Sequence, residues 1–142
     1  MTVRLPAKRK KPVDYAAGLA SQLGMSGLKP LREYRLFATY VGLGPGIKTR
    51  MAIYGYRDFR FDLAFPAERL AVDIQGGGWI AGHHSRGAGM EDDCEKISGA
   101  VALGWRVLLV TPKQVKNGRA LGWIMRALGL ETDKRELWRK LI

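Results

Sequence analysis

Cysteine and long apolar runs are scarce in this chain of 142 residues. The single cysteine, Cys94, excludes an intramolecular disulfide and a zinc site built from several cysteines. No stretch approaches the roughly 18 consecutive apolar residues of a membrane-spanning helix, and the first residues lack the apolar region of a secretory signal. We therefore expect a cytoplasmic protein with no membrane partner.

Acidic residues are also scarce, because 13 Asp and Glu stand against 24 Lys and Arg, for a formal net charge of +11. A chain this small and this basic is typically attracted to polyanions. Nucleic acid is the leading candidate. Anionic lipid is the weaker candidate, because the sequence contains no long basic amphipathic helix with a rich aromatic face.

The chain divides into residues 1–12, predicted to be a flexible basic arm, and residues 13–142, predicted to be a single domain. Four of the basic residues of the arm are candidate phosphate contacts: Lys8, Arg9, Lys10 and Lys11. The alternative is a tail that only increases solubility.

Residue patterns predict an α/β or α+β domain with a mixed central sheet flanked by helices. We expect helices over Tyr15–Leu23, capped by Asp14, over Met90–Leu103, and over residues 113–128 and 131–142. We expect an antiparallel meander and then one strand covered on both faces: Arg50–Tyr56, Phe59–Phe65 and Leu70–Gln75, followed by Trp105–Val110. Within the predicted helix Met90–Leu103, Cys94, Ile97 and Val101 are predicted to form a buried stripe.

The strongest candidate site consists of Asp62, Asp73 and Gln75. Asp62 interrupts an apolar strand, and Asp73 and Gln75 share one face of the next strand because they lie two residues apart. Two neighbouring carboxylates repel each other unless a cation lies between them, and Mg²⁺ prefers such oxygen ligands. The alternative places both aspartates on the solvated side of a half-exposed sheet.

Basic and imidazole side chains surround this candidate site in the sequence. Arg57, Arg60, Arg86 and Lys96 are candidate contacts to a polyanionic substrate. His83 and His84 lie in a glycine-rich loop, where one of them is a candidate for contacting a phosphate or an active-site water. The alternative is an exposed loop pair.

Residues 30–128 resemble the PD-(D/E)XK nuclease superfamily, and most closely its very-short-patch-repair endonuclease branch and the related small phage nucleases. The specific part runs from Phe59 to Pro112: Asp62, a turn, LAVDIQGG, a histidine loop, the helix segment Glu91–Lys96 and GWRVLLVTP. The resemblance implies a restriction-endonuclease-like αβββαβ core and Mg²⁺-dependent (or Mn²⁺-dependent) hydrolysis of DNA. It also implies a bacterial cell or a phage-infected cell as the setting.

Carried over by position, the resemblance implies the following metal site. Asp62 and Asp73 would be metal ligands, together with the backbone carbonyl of Ile74. Glu33 would be the candidate upstream acidic residue.

The sequence departs from the superfamily at its lysine position, which is Gln75 here. Glutamine cannot supply a positive charge, although its amide can orient a water molecule. Lys96 on the following helix is one candidate replacement, and His83 or His84 is the other. The cysteines of the repair branch's structural zinc site are absent.

These observations predict a metal-dependent DNA endonuclease, acting on duplex or branched DNA in phage or mobile-element processing. Resolution of branched DNA requires two cuts and therefore suggests a homodimer. Two alternatives remain open: a nucleic-acid-binding module that keeps the nuclease fold without catalysis, and an RNA-processing enzyme.

Overall fold

The structure is a computed structural model that describes residue 3, residues 11–75 and residues 86–130, with the backbone alone for 86–88. Six helices lie in these ranges: α1 Tyr15–Met25, α2 Leu36–Val41, α3 Ile47–Tyr54, α4 Arg86–Ala102, α5 Pro112–Lys116 and α6 Arg119–Ala127. The strands are β1 Leu31–Tyr34, β2 Phe61–Phe65, β3 Leu70–Ile74 and β4 Arg106–Val110. No helix in these ranges is long and apolar enough to cross a membrane.

The four strands form one mixed sheet in the order β1-β2-β3-β4. β1 and β3 both pair with β2 in antiparallel fashion, and β4 pairs with β3 in parallel. A short 3-10 turn, Pro66–Glu68, joins β2 to β3. The expected α+β architecture with a mixed sheet and flanking helices is confirmed, and the predicted strands around Phe61–Phe65 and Leu70–Ile74 are confirmed to within two residues.

Buried residues form one apolar cluster on each face of the sheet. The first cluster joins the sheet to α1, α5 and α6, and the second joins it to α2, α3 and α4. Alternation along β3 divides its side chains between them, since Leu70 and Val72 belong to the first cluster and Ala71 to the second. Asp73, two residues after Ala71, is therefore expected on the α4 side of the sheet.

The first predicted helix is confirmed with its cap. The carboxylate of Asp14 accepts a hydrogen bond from the amide of Ala17 at 2.9 Å, which satisfies a donor that the first turn leaves without a helical partner. Leu19 and Leu23 are fully buried on the apolar face of this helix.

The predicted strand over Arg50–Tyr56 is wrong, because this segment belongs to α3. Glycines in the left-handed conformation stand at both ends of the helix, Gly46 and Gly55. The Arg50 guanidinium donates to the carbonyls of Gly42 and Pro45 and so closes the preceding loop onto the helix. The strand that completes the meander is instead β1, whose sequence LREY is short and largely exposed.

The predicted buried stripe of Cys94, Ile97 and Val101 is also wrong. Cys94 and Val101 are exposed, whereas Ala100 is fully buried. The helix turns Lys96 and Ala100 toward the sheet, because α4 packs against α2 through Gly99. It also begins at Arg86, earlier than expected.

The last described part of the chain agrees with prediction at β4 and differs from it in the helices. β4 is an edge strand, yet both of its faces are covered: Leu108 and Val110 pack in the first apolar cluster and Val107 packs against the second, while Leu109 near the strand's end is exposed. The helix expected over residues 113–128 is divided into α5 and α6 by Gly118, which has a φ of +82°. The helix expected over residues 131–142 lies outside the described residues.

Candidate active site

At Asp62 and Asp73, side-chain carboxylates accept the hydrogen bonds between β2 and β3 in place of backbone carbonyls. The last regular pair next to them is Leu63 with Val72. Beyond it, the amide of Asp62 donates to Oδ1 of Asp73 at 3.0 Å, and the amide of Ile74 donates to Oδ2 of Asp62 at 2.8 Å. Each carboxylate is thus held by the backbone of the opposite strand.

This exchange of hydrogen bonds fixes both carboxylates side by side on rigid strands. Hydrogen bonds from backbone amides to carboxylates are charge-assisted and hold the acceptor in a defined orientation. Within the described residues, Oδ1 of Asp62 has no hydrogen-bond partner. One oxygen of the pair therefore remains available to a ligand.

Lys96 brings the positive charge to this pair from α4. Its ammonium donates to Oδ2 of Asp73 and to the backbone carbonyl of Arg60. It also lies 4.6 Å from the centre of the Phe61 ring, a cation–π arrangement. The side chains of Lys96 and Asp73 are only 13% and 14% exposed, so the ion pair is largely shielded from water.

Burial raises the pKa of Asp73 above its ordinary value of 3.8. The hydrogen bond and the charge of Lys96 act against this rise, as does the amide of Asp62, while the negative charge of Asp62 adds to it. The Lys96 ammonium pairs with Asp73, whereas the Asp62 carboxylate accepts a hydrogen bond from the amide of Ile74. The two neighbouring carboxylates are thus compensated by different groups.

Gln75 connects the end of β3 to α4. Its side-chain amide donates to Oδ2 of Asp93 at 3.0 Å, and its backbone amide donates to the carbonyl of Val110 at 2.7 Å. Asp93 was not among the residues that the sequence pattern predicts for the site. The available signal was its i, i+3 spacing to Lys96, which places both residues on one helix face.

The structure does not bring the side chain of Glu33 into this cluster. Register places Glu33 of β1 level with Asp62, between the pairs Arg32–Leu63 and Tyr34–Phe61. Glu33 is exposed, however, and has a φ of +50°, which interrupts the strand. Among residues 11–75 and 89–130, no three His, Cys, Asp or Glu side chains form a group that could hold a metal ion.

Ile74 contributes its amide to Asp62, and its side chain packs against the first apolar cluster. The role that the resemblance implies for its carbonyl stays a prediction. His83 and His84 lie outside the described residues, as do Lys8, Arg9 and Lys10, and the side chain of Arg86 is not described.

The remaining candidate phosphate contacts lie on the surface. Arg57 pairs with Asp92 and Glu95 of α4 and stacks on Phe59 at 4.8 Å. Lys11 and Arg60 are exposed. Their role in binding stays a prediction.

The donor chemistry of Asp62 and Asp73 fits a hard divalent cation. Carboxylate oxygens are preferred ligands of Mg²⁺, which binds through one or two carboxylates and fills its other positions with water and substrate phosphate oxygens. Oδ1 of Asp62, which has no partner among the described residues, offers one such ligand, and Asp73 can offer a second where a cation replaces the Lys96 ammonium.

Compared with family models, with curated proteins and with solved structures, the chain matches none of them. Support for a function therefore rests on the geometry around Asp62 and Asp73, on the charge of the chain and on the sequence resemblance described above.

Proposed function

We propose that the protein is a metal-dependent endonuclease that hydrolyses phosphodiester bonds in DNA. The observation that carries the proposal is the pair Asp62 and Asp73, whose carboxylates are held together by the backbone of each other's strands. Folding two like charges side by side is costly, and a divalent cation bound between them would offset that cost.

The order of the elements supports the same reading. Apart from α2 and α3, the chain up to β4 runs helix, three strands, helix, strand. This is the order that the resemblance to PD-(D/E)XK nucleases implies. The net charge of +11 adds a reason for a polyanionic substrate.

In this proposal Asp62 and Asp73 hold Mg²⁺ or Mn²⁺, which when bound supplies a Lewis acid that activates water and neutralises phosphate charge. The Lys96 ammonium, which contacts Asp73 when no cation is bound, would then be free to donate to a phosphate oxygen and stabilise developing negative charge. Gln75 is oriented by Asp93 and can position a water molecule through its amide.

A non-catalytic nucleic-acid-binding module is the second candidate. It is favoured by Lys96, whose ammonium already compensates Asp73, and by Gln75 in the position where the resemblance expects lysine. Such a protein would bind DNA through its positive charge and would have no need of a metal ion.

A cleavage panel separates these candidates. The substrates are linear, nicked, mismatched and four-way-junction DNA and a single-stranded RNA, each with Mg²⁺, Mn²⁺ or EDTA. The variants are Asp62→Asn and Asp73→Asn, with Asp58→Asn as the matched control, since Asp58 is an exposed carboxylate bonded to Arg35.

We expect metal-dependent cutting of DNA that both site variants lose and the control keeps. The preferred DNA identifies the role, and cutting of both strands of the junction would support resolution of branched DNA. Binding without cutting under every metal would overturn the endonuclease and leave the binding module. Cutting of RNA alone would identify an RNA-processing enzyme.

A further inference from the structure

The segment of residues 36–57, between β1 and β2, presents an exposed group of tyrosines. We call Tyr40, Tyr54 and Tyr56 the tyrosine platform. Tyr40 is 57% exposed and Tyr54 is 58% exposed, although aromatic rings usually bury most of their surface. The carboxylate cluster makes no use of these rings, so their exposure calls for a different explanation.

The platform is anchored in the core. The ring of Tyr56 stacks on the buried Phe37 at 5.1 Å, and the ring of Tyr54 lies nearly parallel to that of Tyr56, 7° apart with centroids at 6.4 Å. Tyr40 meets both other tyrosines edge-on, at 6.3 and 5.9 Å. A stack of rings thus begins in the core and ends at the surface, which positions the outer rings before any ligand arrives.

The charged residues of the segment are all basic, although Arg57 is paired with Asp92 and Glu95 of α4. Residues 36–57 contain Lys48, Arg50 and Arg57 and no acidic residue. The exposed Lys48 has no ion-pair or hydrogen-bond partner within the described residues. In the part of the chain that the structure describes, Arg50 donates to the backbone carbonyls of Gly42, Gly44 and Pro45 and to no carboxylate. A ligand that combines flat rings with negative charge complements this surface.

The platform and the candidate active site also pack against the same apolar cluster. Phe37 lies 6.5 Å from Phe61, and Phe61 is the ring on which the Lys96 ammonium rests. Phe61 directly precedes Asp62 in β2. A strand of DNA bound at the platform would therefore be held by elements that share one apolar cluster with the carboxylate site.

We propose that the tyrosine platform binds unpaired nucleotides of the substrate, whose bases stack on Tyr54 and Tyr40 while a phosphate contacts Lys48. Bases stack on exposed aromatic rings without sequence preference, but only where they are free from a neighbouring base pair. The proposal rests on the proposed function and deepens it, because it identifies the substrate class as DNA with a single-stranded segment, such as a fork, flap or branch.

The test measures binding without cleavage. A dye-labelled single-stranded oligothymidylate and a blunt duplex of two annealed strands are titrated with the protein in EDTA, and fluorescence anisotropy reports the dissociation constants. We expect Tyr40→Ala and Tyr54→Ala each to weaken binding of the single strand by about 5- to 100-fold, the effect of losing one stacked base. Binding of the duplex should change by less than about twofold, because its bases are stacked on each other.

Three further variants isolate the cause. Tyr54→Phe keeps the ring and should keep the affinity. Ile53→Ala removes exposed apolar surface from the same helix, since Ile53 is 76% exposed, and should leave both affinities unchanged. Lys48→Gln should lower the slope of log affinity against log salt for the single strand by about 0.7, the effect of one phosphate contact.

The outcomes separate this proposal from the endonuclease. Unchanged single-strand affinity in both alanine variants would overturn the platform, whatever the cleavage panel gives. In a second assay the same proteins are mixed with vesicles of phosphatidylcholine and phosphatidylserine. If Tyr40→Ala and Tyr54→Ala lose vesicle binding while they keep oligonucleotide affinity, the platform binds a membrane surface and the proposal is overturned. Selective loss of single-strand binding in a protein that never cuts would sustain the platform and overturn the endonuclease.

Discussion

Gly99 of α4 lies against the ring of Phe37 so closely that a methyl group at Gly99 would stand 3.0 Å from two of the ring atoms. Phe37 is itself buried and stacked on Tyr56, so its ring has little room to move. The absence of a side chain at Gly99 thus sets how near α4 approaches α2. That approach determines where Asp93 and Lys96 of α4 meet the sheet.

Replacing Gly99 by alanine should therefore destabilise the protein. Alanine gains about 1 kcal/mol of helix propensity over glycine, but overpacking a tight contact costs about 1–3 kcal/mol, so we expect a net loss. Gly18→Ala in α1 is the matched control, since nothing lies within 4 Å of its added methyl group. Urea unfolding should give a lower free energy of unfolding for Gly99→Ala and a higher one for Gly18→Ala. An equal rise in the free energy of unfolding of both variants would contradict the tight contact between Gly99 and Phe37.

The raised pKa of Asp73 predicts a pH dependence of stability. The folded state holds the Asp73 proton more tightly than the unfolded state, so the stabilising contribution is complete below the ordinary value of 3.8 and is lost as the pH rises through the folded pKa. The free energy of unfolding of the wild type, relative to Asp73→Asn, should fall over that range in EDTA. If the free energy of unfolding of the wild type relative to Asp73→Asn rises with pH instead, the effect of Lys96 on the pKa of Asp73 outweighs that of burial.

The contribution of Asp14 to the free energy of unfolding should change with pH in the opposite direction. The amide of Ala17 and then the guanidinium of Arg32 lower the pKa of this exposed N-cap carboxylate. Its contribution is present above 3.8 and is lost as the pH falls through the folded pKa. Relative to Asp14→Asn, the wild type should therefore gain stability as the pH rises.

The ion pair of Lys96 and Asp73 should show strong coupling. Lys96→Met leaves a largely shielded carboxylate without its cation, and we expect a loss of about 1–3 kcal/mol in the free energy of unfolding. The same change in an Asp73→Asn background should cost much less, because the carboxylate charge is gone. Additive losses in the double variant would mean that the pair contributes little. Lys113→Met, at an exposed position of α5, controls for the substitution itself.

Divalent cations should stabilise the folded protein through the same carboxylates. A single-site ligand at ten times its dissociation constant adds about 1.4 kcal/mol to the free energy of unfolding, which is about 4 °C in the thermal midpoint for a chain of this size. We expect this rise for the wild type with Mg²⁺ or Mn²⁺ and its removal by EDTA. Asp62→Asn should lose the rise, whereas Asp58→Asn should keep it. An equal rise in all three proteins would point to a general salt effect.

Local sequence signals were sufficient for the parts of the fold in which neighbours along the chain decide the outcome. Asp14 before an alanine- and leucine-rich run predicts α1 because a cap and its helix lie within four residues. The turn Pro66–Glu68 between two apolar runs predicts the β2–β3 hairpin, and with it the proximity of Asp62 and Asp73. The alternation of apolar and acidic residues along the hairpin is enough to place both carboxylates on the same face.

Tertiary packing decided what the local pattern left ambiguous. The residues of α3 favour a strand by composition, yet the loop closed by Arg50 and the burial of Met51 place them in a helix. Rotation of α4 follows from the contact between Gly99 and Phe37, which are far apart in the sequence, so exposure of Cys94 and burial of Lys96 could not be predicted from spacing alone. The sequence by itself determined that two carboxylates meet at the end of a hairpin. Only the packing of α4 determined that Lys96 would pair with Asp73, because helix rotation depends on contacts between distant residues.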